Sequence, residues 1–131
     1  MLPLEGLNVV TIEQAVAAPL ASRQLADFGA RVIKIERPGT GDFARGYDGA
    51  VRGISSWFVW LNRSKQSLTL DLKHAEARPI MDKLLADCDV LLHNRAPGAA
   101  ERLGLGGSSL TARYPRLIVC EISGYGASGP Y

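Results

Sequence analysis

Gly29-Ala30-Arg31-Val32-Ile33-Lys34-Ile35-Glu36-Arg37-Pro38-Gly39-Thr40-Gly41-Asp42 holds a β-branched run, Val32 to Ile35, that ends in a charged pair and then breaks at proline and glycine. A buried parallel strand delivers polar side chains to the carboxyl edge of a sheet in this way, and open α/β sheets bind ligands at that edge. Upstream, Leu7 to Glu13 is nearly continuous in apolar and β-branched residues and reads as a strand beside it. Between the two, Pro19 falls in the first turn of a helix. Leu20, Leu25, Ala26 and Phe28 form the apolar stripe of that helix, and Gly29 is its stop. The first forty residues therefore read as a βαβ unit.

The same alternation continues downstream. Thr40 to Ser56 has no clean period and reads as a long loop, functional because structureless loops of this length are uncommon. Trp57 to Leu61 reads as a short helix or a buried plug, and Lys65 to Leu70 as a strand. His74 to Asp87 has helical spacing, with Ala77, Ile80, Met81, Leu84 and Leu85 on one side. Val90 to Leu92 is a short buried strand, Pro97 to Arg102 a short helix closed by Gly104. Ser108 or Ser109 caps a helix that ends near Tyr114-Pro115, and Leu117 to Ile122 is the last strand. Strands alternating with helices predict an α/β fold with a mostly parallel open sheet and helices on both faces.

A chain of 131 residues supports one compact domain with a real core, not two. Its net charge of +2, with no run dominated by Lys and Arg, does not suggest general nucleic-acid binding. No apolar stretch reaches the ~20 residues of a membrane span, and Met1 to Glu5 lacks the features of a signal peptide. Cys88 and Cys120 sit in apolar surroundings, as buried thiols in a reduced cytoplasm would. The last strand runs into a glycine-rich loop where a ligand-binding edge should continue. Residues 1–131 are therefore read as the front part of a larger enzyme.

The default ligand of such a βαβ start is a dinucleotide, and Glu36 stands where an acidic residue would bind the ribose. The first strand-to-helix turn, however, is Ala15-Val16-Ala17-Ala18-Pro19, with no glycine to admit a pyrophosphate. The glycines at Gly124, Gly126 and Gly129 have the spacing of the dinucleotide motif but no helix behind them, so an NAD-linked oxidoreductase is disfavoured. Arg37, Lys73, Arg95 and Arg102 lie just beyond expected strands or in the segments that follow. Converging on one sheet edge, they would suit a ligand with several phosphates; the alternative is a set of solvated loop charges.

Taken together, several segments resemble the N-terminal part of the class III CoA-transferase family. They are Pro3-Leu4-Glu5-Gly6-Leu7, Ala18-Pro19, Leu25-Ala26-Asp27-Phe28-Gly29-Ala30, Val32 to Pro38, Gly41-Asp42 with Arg45, Asn62 to Ser67, and Leu70 to Lys73. The match continues through Asn94 to Gly98, Arg102 to Leu105, Pro115 to Ile118, and Ser123 to Gly126 with Gly129-Pro130. That family includes formyl-CoA transferase and carnitine CoA-transferase, with α-methylacyl-CoA racemase as a relative. The resemblance implies a Rossmann-like, CoA-binding domain in an interlocked homodimer, with acyl-CoA and a small carboxylic acid as substrates and no tightly bound cofactor.

By position, Val16 and Ala17 would line the CoA with backbone, and Arg37 would reach its adenosine and phosphate end. Leu70, Asp71, Leu72 and Lys73 would border the adenine. Asn94, Arg95 and Ala96 would flank the CoA chain, and Arg102 would neutralise phosphate. Ser123, Gly124, Tyr125 and Gly126 would lie near the thioester. Arg95 departs from the aromatic residue frequent in the family, and Gln14 occupies a variable position near the acyl group. The family's nucleophilic aspartate lies a little downstream of the Gly-Pro segment, so no catalytic residue and no metal ligand is assigned within the chain. Asp71 reads as a loop cap, and His74 and His93 as a helix-start and a strand-end residue rather than bases. CoA transfer to a small carboxylate is the leading expectation, ahead of racemisation of a 2-methylacyl-CoA and of a non-catalytic CoA-binding fragment.

Overall fold

A computed structural model describes residues 1–130. Its elements alternate as β1 (Asn8–Ile12), α1 (Ala17–Asp27), β2 (Arg31–Glu36), α2 (Ser56–Asn62), β3 (Gln66–Thr69), α3 (Ala77–Ala86), β4 (Val90–His93), α4 (Ala99–Arg102), α5 (Gly107–Arg113) and β5 (Ile118–Glu121). All strand pairs are parallel, in the order β3-β2-β1-β4-β5, so the chain runs outward from β1 to one edge and then returns to build the other. That reversal places the switch point of the sheet between the carboxyl ends of β1 and β4, where open α/β sheets have their crevice.

The two faces have different interiors. On one, Val10, Ile12, Ile35 and Leu91 pack with Met81 and Leu85 of α3, Ala100 of α4 and Leu110 of α5. On the other, Val9 and Val32 pack with Ala26 of α1 and Ala30 to form a smaller apolar cluster. Toward the carboxyl edge this second face turns polar, and Lys34, Glu13, Asp42 and Ser22 are all buried.

That polar interior corrects part of the stripe expected on α1: Leu25 and Ala26 do pack in the apolar cluster, but Leu20 and Phe28 do not. The residues that α1 buries are Ala18, Pro19, Ser22, Arg23 and Ala26, whereas Leu20 is half-buried and Phe28 exposed. Ser22 is drawn inward because its hydroxyl donates to both oxygens of Glu13 (2.9 and 2.7 Å). Arg23 lies over the Trp60 ring, 5.2 Å from its centroid, and 3.5 Å from Asp27 Oδ2. The end of the helix does follow the local sequence. Gly29 adopts φ 105°, and its N–H and that of Ala30 donate to Ala26 O (3.0 Å) and Leu25 O (3.1 Å).

Three further readings change. Thr40 to Ser56 is an ordered segment, with a 3-10 turn at Phe43–Gly46 and a tight turn bridged by Val51 and Ile54. Asp48 fastens it by accepting from Ala50 N (2.9 Å), Ser56 N (2.8 Å) and the Ser56 hydroxyl (2.7 Å). Trp57 to Leu61 is a helix, not a plug: Leu61 is buried, but Trp57, Val59 and Trp60 remain over 40% exposed. The N-cap of α5 is Gly106 rather than a serine. Ser109 sits inside the first turn and donates its hydroxyl back to Gly106 O (2.9 Å).

Candidate functional site: a cleft at the carboxyl edge

The carboxyl ends of four of the five strands contribute walls to a single cleft. β1 leads into Glu13-Gln14-Ala15, β2 into Arg37-Pro38, β3 into Leu70 to Lys73, and β4 into Asn94-Arg95-Ala96; Ala99 and Leu103 close the far side. The space between them is about 620 Å³, within the range of small-molecule and cofactor sites. A smaller cavity of about 210 Å³ shares Glu36, Arg37 and Gly41 with it and extends toward Thr40, Arg45, Ser67 and Thr69.

Eight of the residues expected at the site lie on this cleft: Arg37, Leu70, Asp71, Leu72, Lys73, Asn94, Arg95 and Ala96. Three of them bring positive charge. The Arg95 Nε is buried with no hydrogen-bond partner among the described residues, and Arg37 makes only a long 3.4 Å contact from Nε to Gly41 O. Asp71 accepts from Lys73 N (3.0 Å), so its carboxylate shapes the turn after β3 as a loop cap does. His74 does the same with Glu76 N (3.2 Å).

Seven expected residues do not line the cleft. Val16 is the N-cap of α1, and Ala17 is its exposed first residue. Arg102 is the exposed last residue of α4, next in sequence to Leu103 but outside the cavity. Ser123, Gly124, Tyr125 and Gly126 follow the edge strand β5 as an exposed loop, closed by Gly126 N donating to Ser123 Oγ (2.9 Å). The cause is topological. β5 lies beyond β4, two strands from β1, so its loop starts a full strand away from the crevice.

Sequence reasoning missed the polar layer under the cleft floor. Lys34 Nζ donates to Asp42 Oδ2 (2.6 Å) and Asn62 Oδ1 (2.8 Å) and lies 3.6 Å from Glu13 Oε1. Lys65 Nζ donates to Glu13 Oε1 (2.7 Å), Pro19 O (2.9 Å) and Asn62 Oδ1 (3.1 Å). All four charged side chains are at least 98% buried. One signal was available: a lysine inside the apolar strand Val32-Ile33-Lys34-Ile35 is almost never buried without an acidic partner. Burial pushes the Lys65 ammonium down to about 8, against the pull of Glu13.

Glu36 is equally committed. Its carboxylate takes Arg45 Nε (2.8 Å) and Nη2 (2.7 Å), the Ser67 hydroxyl (2.8 Å) and Asp42 N (3.0 Å). Burial opposes its charge, but these hydrogen bonds outweigh burial and hold the carboxyl at about 2. With its oxygens so occupied, Glu36 is poorly placed to receive a ribose diol.

The structure is thus an open α/β domain with a parallel sheet in this order and a cleft at its carboxyl edge, the place where such sheets bind ligands. Comparison with known proteins assigns the family: residues 4–131 match the model of CoA-transferase family III, to which the chain belongs. It is similar to succinyl-CoA:glutarate CoA-transferase of Mus musculus, 39% identical over 99% of this chain and 30% of the relative. Formyl-CoA:oxalate CoA-transferase of Bradyrhizobium is also 39% identical, over 98% of this chain and 30% of its own. Among solved structures, Rv3272 of M. tuberculosis superposes with a TM-score of 0.90 at 41% identity, covering 99% of this chain and 36% of that one. A CAIB/BAIF family protein of Brucella suis gives 0.91 at 37% identity, covering 99% and 35%. The chain thus spans about a third of the length of the proteins it matches. Among the described residues no helix is long and apolar enough to cross a membrane.

Proposed function

We propose that the cleft binds the CoA moiety of an acyl-CoA and that the protein transfers CoA from a thioester to a small carboxylic acid. The observation that carries this reading is the cleft itself: Arg37, Lys73 and Arg95 rim a cavity of suitable size, and Arg95 Nε is buried without a hydrogen-bond partner among the described residues. An anion with several phosphates would give these cations charged acceptors. The names of the relatives support the same chemistry.

In this proposal an aspartate carboxylate, in a segment beyond these 131 residues, attacks the thioester carbonyl and expels CoA as thiolate. The resulting mixed anhydride is attacked by the thiolate at the aspartyl carbonyl, releasing the donor acid and leaving an enzyme–CoA thioester. The acceptor carboxylate then attacks that thioester, and the thiolate returns to the acceptor's acyl carbon, regenerating the aspartate. Splitting one acyl transfer into such steps is nucleophilic catalysis. Residues 1–131 hold the nucleotide end of the substrate, and a homodimer completes the assembly. The exposed apolar side chains of Phe43, Tyr47, Val51, Ile54, Trp57 and Trp60 support such an association.

Calorimetric titration of the chain with CoA and with NADH tests the binding step. CoA binds and NADH does not if the reading is right; NADH binding in the absence of CoA binding would replace it with an oxidoreductase.

A further inference from the structure

The turn between β1 and α1 forms part of the cleft wall, and its backbone is unusual. Ala15 has φ 67°, a left-handed conformation that a residue with a Cβ seldom adopts. Both neighbouring amides are consumed inside the protein. Gln14 N–H donates to Asn94 Oδ1 (3.0 Å), and Asn94 Nδ2 returns a bond to Gln14 O (2.8 Å). Ala15 N–H donates to Asp42 Oδ1 (3.1 Å), the same oxygen that takes Ala44 N–H (2.9 Å), while Oδ2 is fixed by Lys34 (2.6 Å). Asp42 thus links the strained turn, the loop after β2 and the buried lysine.

We propose that Asp42, held in place by Lys34, is a positioning residue: it keeps Ala15 left-handed and takes up its amide. The wall then meets the uncharged part of the ligand, with the backbone amides of Gln14 and Ala15 turned away from any phosphate. The claim about ligand rests on the CoA reading; the claim about the turn does not. In dinucleotide-binding folds the same turn uses glycine and directs its amides at the pyrophosphate. Here an alanine stands at positive φ and two side-chain oxygens occupy the amides. The anionic groups of a ligand are left to Arg37, Lys73 and Arg95 on the rim.

The test compares two double variants of the 131-residue chain that both remove the ion pair. Lys34→Met/Asp42→Asn keeps an oxygen for Ala15 N–H, and Lys34→Met/Asp42→Ala does not. The expected result is slow hydrogen exchange at the Ala15 amide in the wild type and the asparagine variant, and fast exchange in the alanine variant. Affinity for CoA is retained within about threefold by the first and falls about tenfold or more in the second. Adding Ala15→Gly to the alanine variant restores affinity, because glycine holds φ 67° without strain. A side chain that only supported the fold would not be rescued by that change. Equal exchange and equal affinity in the two doubles, or no rescue by glycine, overturns the proposal. Should the wild type fail to bind CoA, the ligand reading falls, and the Ala15 exchange rates alone decide the role of Asp42. Should the alanine double fail to fold, the other two proteins decide it: slow exchange in both supports the clamp, and fast exchange in either refutes it.

Discussion

At the scale of single residues, Glu36 shows how one carboxylate separates two readings of the same fold. In sequence it stands where a dinucleotide fold places its ribose acceptor, yet four short hydrogen bonds bind it to Arg45, Ser67 and the Asp42 amide. Its role is to pin the loop after β2, and Gly41 must be glycine there, because a Cβ would collide with the Glu36 carboxylate. A folded-state carboxyl at about 2, below its ordinary 4.5, adds stability that is complete above pH 4.5. That contribution is lost as the pH falls from 4.5 through 2. Replacing Glu36 by Gln should therefore cost about 1–3 kcal/mol near neutral pH and flatten the acid limb of the stability curve. Urea unfolding of both proteins between pH 2.5 and 7 measures the difference. A variant as stable as the wild type at pH 7 would show that the hydrogen bonds of Glu36 contribute nothing. Lys65 works in the opposite sense. Its ammonium is lowered from 10.5 to about 8, so burying the charge costs stability below pH 8, and that cost is relieved as the pH rises from 8 to 10.5. Lys34, Asp42 and Glu13 were legible only in part, since their partners lie 8 to 52 residues apart in sequence.

At the scale of elements, the strands were readable because parallel strands buried on both faces are near-continuous runs of β-branched and apolar residues. Val9-Val10, Val32-Ile33 and Leu91-Leu92 carry that signal without help from tertiary context. α1 was harder to read. Its buried face contains Ser22 and Arg23, whose burial depends on Glu13 and Trp60 elsewhere in the chain and on Asp27 one turn on, whereas hydropathy assigns that face to Leu20, Leu25, Ala26 and Phe28, of which Leu25 and Ala26 do pack inward. The stop signal at Gly29 was local and held. Gly29→Ala should destabilise the chain by about 1–3 kcal/mol, through left-handed strain and overpacking. An added Cβ there would lie 2.6 Å from Leu2 Cβ and 3.3 Å from the Glu5 amide. Thermal melts check this; an unchanged midpoint would mean that the N-terminal segment moves aside without cost.

At the scale of the whole molecule, the strand order determines which of the expected site residues can act together. Segments following β1, β2, β3 and β4 meet around the crevice, whereas the loop after β5 begins at the sheet edge. The cationic residues at strand ends were therefore legible from sequence once the βαβ alternation was recognised. Arg102, which the strand-end reading groups with them, and Ser123 to Gly126, which came from family resemblance, lie outside the cleft of this chain. The central claim is that the cleft at the carboxyl edge holds CoA by its cationic rim. The most direct measurement is a titration of the isotopically labelled chain with CoA, followed by backbone amide shifts. Shifts are expected to concentrate at Gln14, Arg37, Lys73, Arg95 and Ala96, and to weaken when Arg95 is replaced by Ala. Shifts confined to residues 123–126, or none at saturating CoA, would contradict it.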